Sequence, residues 1–310
     1  MRIIRDFHYV ETHDRGASAA IGNFDGVHLG HQAVINLARQ ADERIPLGVV
    51  TFEPHPREHF APDSPPFRLM SARARASRLK KLGVKKLYEL NFNTSLATLS
   101  PEEFAQKVIH QGLGLSHIVV GTDFCFGKGR AGSAADLRRY GQDFGFSVTI
   151  ADLIEDGNET ISSTAIRTAL SNGNPKKAAQ MLGHWHRIES VVVRGEQRGR
   201  ELGFPTANLS IEGLHPPMYG VYAVLIDILD GQHLGAYQGV ASLGVRPMFG
   251  ENQPNLETYL FDFSGDLYGT TLSIGFVDFL RPEKTFDTQN ELIAQMAHDC
   301  HQARTKLRTP

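Results

Sequence analysis

One stretch constrains this chain more than any other: Ile21-Gly22-Asn23-Phe24-Asp25-Gly26-Val27-His28-Leu29-Gly30-His31. It follows the small pair Ala19-Ala20 and leads into Val34, Ile35, Leu37 and Ala38, which recur with helical spacing. A strand end, a glycine-rich turn and a helix start are therefore expected in succession. Such a junction leaves amide groups unpaired at the helix N-terminus, where phosphate binds well. Several chemistries compete for it. His28 and His31 could offset charge that develops during transfer at a nucleotide's phosphates. The H-x-x-H spacing also admits a metal, although no Glu or Cys completes a compact zinc motif. The glycines match neither G-x-G-x-x-G nor a P-loop, which needs Lys and Ser/Thr after its last glycine. A glycine turn that only packs tightly is the plain alternative.

At 310 residues the chain exceeds the usual size of one domain, so two are expected. A formal charge of -2 argues against broad electrostatic attraction to nucleic acid. Cys125 and Cys300 stand far apart, so no disulfide framework is expected and a reducing compartment fits better. Met1 to Asp6 lacks the apolar run of a signal peptide, and no apolar run approaches membrane-spanning length. The expectation is a cytoplasmic protein with no membrane or nucleic-acid partner, for which weak or transient self-association is possible.

In the first half, apolar runs at Leu47–Phe52, Leu87–Leu90, His117–Gly121 and Phe146–Ile150 alternate with helical segments. That alternation predicts a Rossmann-like α/β domain with a mostly parallel sheet. The prolines of Glu53-Pro54-His55-Pro56-Arg57 place His55 and Arg57 on a stiff loop at a strand's C-terminal end, where open α/β sheets bind ligands. Ser71–Leu82 reads as a basic helix with a solvated face, and Ser100-Pro101-Glu102-Glu103 as a capping box. After His117–Gly121 comes Asp123, which could position a ribose hydroxyl or a flavin group. Phe124 and Phe126 could border an aromatic ligand, or simply pack. At Ile161–Arg167, the hydroxyls of Ser162, Ser163 and Thr164 and the early helix amides can hold phosphate oxygens, with a charge-assisted bond from Arg167. A plain Ser-capped helix opens the same way.

Beyond Arg187 the pattern changes. Val191–Val193, Tyr219–Ile226, Leu256–Phe263 and Leu272–Leu280 read as strands punctuated by Gly, Asn and Pro. A helical pattern returns only at Asp287–Ala303, where Leu292, Ile293, Met296 and Ala297 form an apolar stripe. A β-barrel with one terminal helix is expected. Gly195–Arg200 supplies a basic, glycine-bearing loop. Thr206 and Asn208 share a strand face if extended, and offer neutral oxygens suited to Mg²⁺; ordinary turn bonding is the alternative. Glu257 shares its face with Tyr259, Phe261 and Phe263, which suggests a positioned base unless it is a solvent-facing rim carboxylate. Arg246 and Arg281 could assist substrate binding or form surface ion pairs.

In order, these segments resemble the bacterial bifunctional riboflavin kinase/FMN adenylyltransferase (FAD synthetase) family. The first stretch is similar to its G-x-F-D-G-x-H-x-G-H signature, Phe52–Pro56 to F-E-P-H-P, Gly121–Gly127 to G-x-D-F-x-F-G, and Ile161–Arg167 to I-S-S-T-x-I-R. Gly203–Asn208 resembles the G-F-P-T-A-N motif of bacterial riboflavin kinases, and Asp262–Gly269 a D-F-x-G-D-L-Y-G segment. The resemblance covers nearly the whole chain. It implies an adenylyltransferase domain over 1–186 and a kinase domain over 187–310. Riboflavin would be phosphorylated to FMN by ATP, and FMN adenylated by ATP to FAD with release of pyrophosphate. Gly22, Asn23, Phe24, Gly30, Ser162, Ser163, Thr164 and Arg167 would hold ATP in one domain, and Gly199, Arg200, Thr206 and Asn208 in the other. His28 and His31 would stabilise added negative charge, and Glu257 would act as the kinase base. Thr206 and Asn208 would organise Mg²⁺, while Asp123, Phe124, Phe126 and Arg281 would face flavin. Four residues depart from the family pattern. Cys125 stands where Arg is common, His184-Trp185 where G-R-P-Y/F is usual, and Met248 where Thr is common. A kinase-only enzyme weakened at Cys125, and a flavin-binding regulatory module without turnover, are the rival readings.

Overall fold

The computed structural model describes residues 1–42, 44–152, 155–156, 159–195, 199, 202–248 and 251–308. Its contacts divide into two compact units, Met1–Pro65 with Arg75–Ile161, and Pro66–Ala74 with Ser162–Pro310.

The first unit is built on six strands: β1 (Arg2–Ile4), β2 (Ser18–Ile21), β3 (Leu47–Glu53), β4 (Lys86–Asn91), β5 (His117–Gly121) and β6 (Ser147–Ala151). They lie in the order β1-β4-β3-β2-β5-β6, and every neighbouring pair is parallel. The central strands are apolar along their whole length because helices cover both faces of such a sheet. β2 is buried at every position, and β3 at all but its last. The edge strand β1 lies outside the strand runs read from the sequence. From β2 the chain winds outward through β3 and β4, then returns to the other side of β2 as β5. The order reverses there, so the loops leaving β2 and β5 border the crevice in which open α/β sheets bind ligands. Those loops carry Gly22–His28 and Thr122–Phe126.

In the second unit, β7 (Arg187–Val193), β8 (Thr206–Ser210), β9 (Gly220–Ile228), β10 (Gly235–Met248), β11 (Glu251–Leu260) and β12 (Thr271–Arg281) close into a barrel in the order β7-β8-β11-β10-β9-β12. All of its pairings are antiparallel. Leu209, Leu243, Leu256, Leu260, Ile274 and Phe276 fill its interior. Closure removes the open edges that six antiparallel strands would otherwise present. Helices α1 (Ser163–Ser171) and α2 (Pro175–Leu182) precede the barrel and belong to its unit.

The terminal helix α3 (Gln289–Leu307) starts at its N-cap Thr288 and docks on the outside of the barrel. The expected stripe holds only in part. Leu292, Ile293 and Met296 are half-buried and Ala297 is exposed, whereas Asp299, Ala303 and Leu307 are buried. Ala303 and Leu307 pack with Phe261, Val277 and Ala223. Burial concentrates in the second half because a charged anchor holds it there. Arg281 grips both oxygens of Asp299, with contacts of 2.8 and 3.0 Å. Arg281, expected at the flavin, has its guanidinium fork committed to this ion pair.

Candidate active sites

The loop after β2 is held in an uncommon backbone. Gly26 has φ +87°, which glycine adopts freely, but Phe24 (φ +52°) and Val27 (φ +45°) also lie in the left-handed region. For non-glycine residues that costs about 1–3 kcal/mol each and persists only where the surroundings enforce it. Here both side chains are buried, Val27 completely. The loop carbonyls are also tied down. Thr51 Oγ1 donates to Asn23 O (3.1 Å), and Gln32 Nε2 to Val27 O (2.9 Å). Arg75 reaches Asn23 O (3.4 Å) and pairs with Glu53 (2.9 Å) and Glu89 (3.4 Å). Arg75 belongs to the basic helix Ala72–Lys81, yet it is only 3% exposed, which corrects the solvated-face expectation at this position.

His28 caps the helix Leu29–Gln40, its Nδ1 accepting from the amide of His31 (3.3 Å). A neutral His28 with an accepting Nδ1 carries its proton on Nε2, a donor suited to a phosphate oxygen. The His28 and His31 rings stack at 3.6 Å, and Phe24 lies 5.1 Å from His31. A Cβ at Gly30 would stand 3.1 Å from the His28 ring, so glycine lets that ring lie flat. Burial, and then the neighbouring His28, holds the His31 pKa well below its usual value. His31 Nδ1 is buried with no hydrogen-bond partner among the described residues. An unpaired buried ring nitrogen calls for an explanation, and a ligand supplies one.

A ladder of aromatic rings runs along the same end of the sheet. Phe60 meets Phe92 at 5.8 Å, Phe92 meets Phe52 at 5.7 Å, and Phe52 meets Phe104 at 6.4 Å. Phe104 meets Phe126 at 5.6 Å, and Phe126 meets Phe124 at 5.6 Å. Phe126 is a core residue, Phe124 half-buried and Asp123 exposed. Phe60, which the sequence reading did not single out, is 67% exposed although it ends this ladder. It lies just beyond the F-E-P-H-P segment, where a lone aromatic residue carries no signal of its own. His55 there caps the short helix Pro56–Phe60 in a capping box with Glu58.

In the second unit, Ser162 caps α1 by accepting from the amide of Ala165 (3.2 Å), with Ser163 half-buried and Thr164 exposed beside it. Arg167 donates to Phe67 O (2.5 Å) and lies over the Phe67 ring, so it also secures the segment 66–74.

The barrel sorts its side chains by strand period. Ala207 and Leu209 on β8 and Leu256, Thr258 and Leu260 on β11 are buried, and their hydrophobic members join the interior cluster. Their neighbours Thr206, Asn208, Glu257 and Tyr259 must therefore face outward. In the register Asn208 lies directly opposite Glu257, and Thr206 opposite Tyr259. Both metal candidates and the candidate base thus share one outer face. Gly195 and Gly199 close on it. A Cβ at Gly195 would stand 2.6 Å from the Asn208 amide, and one at Gly199 3.4 Å from Thr206 Oγ1. Arg200, and the side chain of Arg246, lie outside the described residues. No group of three or more His, Cys, Asp or Glu side chains that could hold a metal occurs among the described residues. Cys125 and Cys300 are free thiols, and no described helix is long and apolar enough to cross a membrane.

A FAD synthetase family model matches residues 10–165, and a riboflavin kinase model residues 182–307. A bifunctional riboflavin kinase/FMN adenylyltransferase of Pseudomonas fluorescens is 40% identical over 98% of this chain and 97% of its own length. Proteins of the same description from Escherichia coli (strain K12) and Bacillus subtilis (strain 168) are 37% and 36% identical, each covering 96% of its own length. A crystal structure described as a macrolide-efflux protein from Streptococcus pneumoniae superposes with a TM-score of 0.83 at 33% identity, over 98% of both chains. Two family models that follow one another along the chain, together with relatives matched along nearly their whole length, carry the assignment: this chain belongs to the bacterial bifunctional riboflavin kinase/FMN adenylyltransferase family, and converts riboflavin to FMN and FMN to FAD.

Proposed function

We propose that residues 1–186 carry adenylyl transfer and residues 187–310 carry riboflavin phosphorylation, in a cytoplasmic setting where ATP is the donor for both. The observation that carries the kinase assignment is the cross-strand pair Asn208 and Glu257 on the outer face of the barrel. Glu257 accepts the proton of the riboflavin 5'-hydroxyl as its oxygen attacks the γ-phosphorus of ATP and ADP leaves. Thr206 and Asn208 hold Mg²⁺. Their neutral oxygens fit an ion that fills most of its shell with water and substrate phosphates. When bound, the metal neutralises charge on the phosphates. Gly199 and Gly195 let the preceding loop lie close to these side chains.

For adenylyl transfer, the supporting feature is the stacked His28–His31 pair at a helix N-terminus beside the strand-order reversal. An FMN phosphate oxygen attacks the α-phosphorus of ATP, and pyrophosphate leaves. Gly22, Asn23, Phe24 and Gly30 shape the loop that receives the phosphates, and His28 Nε2 donates to the developing charge. Burial and the neighbouring His28 hold the His31 pKa low, which favours a neutral imidazole there. The exposed Phe60 and half-buried Phe124 are surfaces for the flat flavin ring, with Asp123 available to its polar groups.

Product-resolved chromatography with riboflavin, ATP and Mg²⁺ tests both roles. Replacing His28 and His31 together should stop the reaction at FMN. Unchanged FAD formation in that variant would remove their assigned role.

A further inference from the structure

We infer that Asn255 is the positioning residue that orients the Asn208 amide for Mg²⁺ in the kinase reaction; this rests on reading Asn208 as a metal ligand. Asn255 stands on the same outer face of β11 as Glu257, two residues away, and its register partners are Ser210 and Gly244. Its Nδ2 donates diagonally across the strands to Asn208 Oδ1 at 3.0 Å. The Asn208 side chain is nearly closed off, with the residue 7% exposed. On its other side lies Gly195, where a Cβ would stand 2.6 Å from both Cγ and Nδ2 of that amide, and 2.7 Å from Oδ1. Among the described residues, the amide thus meets a glycine backbone and one amide donor.

An asparagine amide can lie in two orientations of nearly equal shape, with oxygen and nitrogen exchanged. Packing against a glycine cannot tell them apart, because the two ends have the same size. A donor can. With Asn255 oriented as in the structure, its Nδ2 attracts Oδ1 and would repel a second NH₂ group, so the Asn208 amide presents oxygen. A carbonyl oxygen has two lone pairs. One accepts from Asn255, and the other is left for a hard cation, which an NH₂ group could not bind. The arrangement follows the general rule that groups behind a metal ligand fix its orientation, and that their loss weakens metal affinity about 10- to 100-fold.

The test is Mn²⁺ binding in the presence of ADP, titrated by electron paramagnetic resonance on the full-length protein without turnover. Asn255→Leu keeps the volume and removes the donor. Its Mn²⁺ affinity should fall about tenfold or more, while riboflavin affinity and the formation of FAD from supplied FMN stay within about twofold of the parent. Raising Mg²⁺ should restore much of its kinase rate. Gly195→Ala, which pushes a methyl group into the same amide without touching a barrel strand, should show the same metal-selective loss. If Asn255→Leu fails to fold, Asn255→Ala removes the same donor from this half-buried position and is held to the same expected loss. Mn²⁺ affinity within twofold of the parent in Asn255→Leu, or an equal loss of riboflavin and Mn²⁺ binding in both variants, overturns it. Asn208→Ala separates this outcome from the reading beneath it. If Asn208→Ala binds Mn²⁺ normally, Asn208 is no ligand and both fall. If it binds poorly while Asn255→Leu does not, only the positioning role is lost.

Discussion

At the residue scale, the two activities can be removed one at a time because their proposed groups lie on separate parts of the chain. Glu257→Gln should lower FMN formation by about 10²- to 10⁴-fold, the usual contribution of a positioned general base. FAD formation from added FMN should continue, and chromatography of both products checks this. Gly30→Ala should do the reverse. Its methyl group would stand 3.1 Å from the His28 ring and push that ring by a few tenths of an ångström from its place against His31. Adenylyl transfer should fall by more than about tenfold while riboflavin phosphorylation stays within about twofold. The positions of His28, His31, Thr206, Asn208 and Glu257 could be picked out from chemistry-bearing residue types at telling spacings. Asn255 and Phe60 could not. An asparagine two residues from a base, or a phenylalanine on a short helix, means nothing until the fold shows what it touches.

At the element scale, His186 and the terminal helix show how charge is managed around the barrel. His186 precedes β7 and is only 3% exposed, with Nε2 lacking a partner among the described residues. Burial, then the nearby His184 and His215, brings its pKa down to about 3 from 6.5. Between these values the unfolded chain binds a proton that the native state refuses. Stability is therefore flat above about pH 6.5 and falls as pH drops toward 3. At pH 5 this one group should cost about 2 kcal/mol. Denaturant melts of the parent and of His186→Leu at pH 7 and pH 5 test it, and the variant should lose the smaller increment on acidification. The terminal helix depends on Asp299, whose carboxylate meets Arg281 and accepts from Gln295 (2.9 Å). Asp299→Ala leaves the Arg281 guanidinium half-covered without its partner. A loss of about 2–3 kcal/mol is expected in denaturant melts. The helix itself was legible from its apolar period, but the depth of each turn was not. Burial is set by the barrel surface it meets, and a charged residue took the central place.

At the scale of the whole molecule, the compact units and the proposed functional boundary divide the chain differently. Helices α1 and α2 belong to the barrel's unit. Leu170 O accepts from the Met218 amide (3.0 Å), and His186 O accepts from the Phe276 amide (3.0 Å). A fragment beginning at 162 should therefore hold a more stable kinase barrel than one beginning at 187, by thermal melts on the two fragments. Equal melting temperatures would show that these helices add nothing to the barrel.

The change from alternating strands and helices to strands alone is a local property of hydrophobic spacing, so the sequence by itself determined an α/β domain followed by a β-barrel. The glycine-rich junction and the ordered motifs likewise announced nucleotide and flavin chemistry, because phosphate contacts demand particular residue types close together in the chain. The edge strand β1 and the long strand β10 had no clear signal. Arg2–Ile4 is too short to show a period, and Gly235–Met248 is broken by glycines. Only the tertiary structure decided which residues stand opposite one another. The register that sets Asn208 against Glu257, the left-handed backbone of Phe24 and Val27, and the burial of Arg75 and His186 all arise from contacts between segments far apart in the chain. Such contacts form when the sheet and the barrel close, and hydrophobic spacing along one segment carries no record of them.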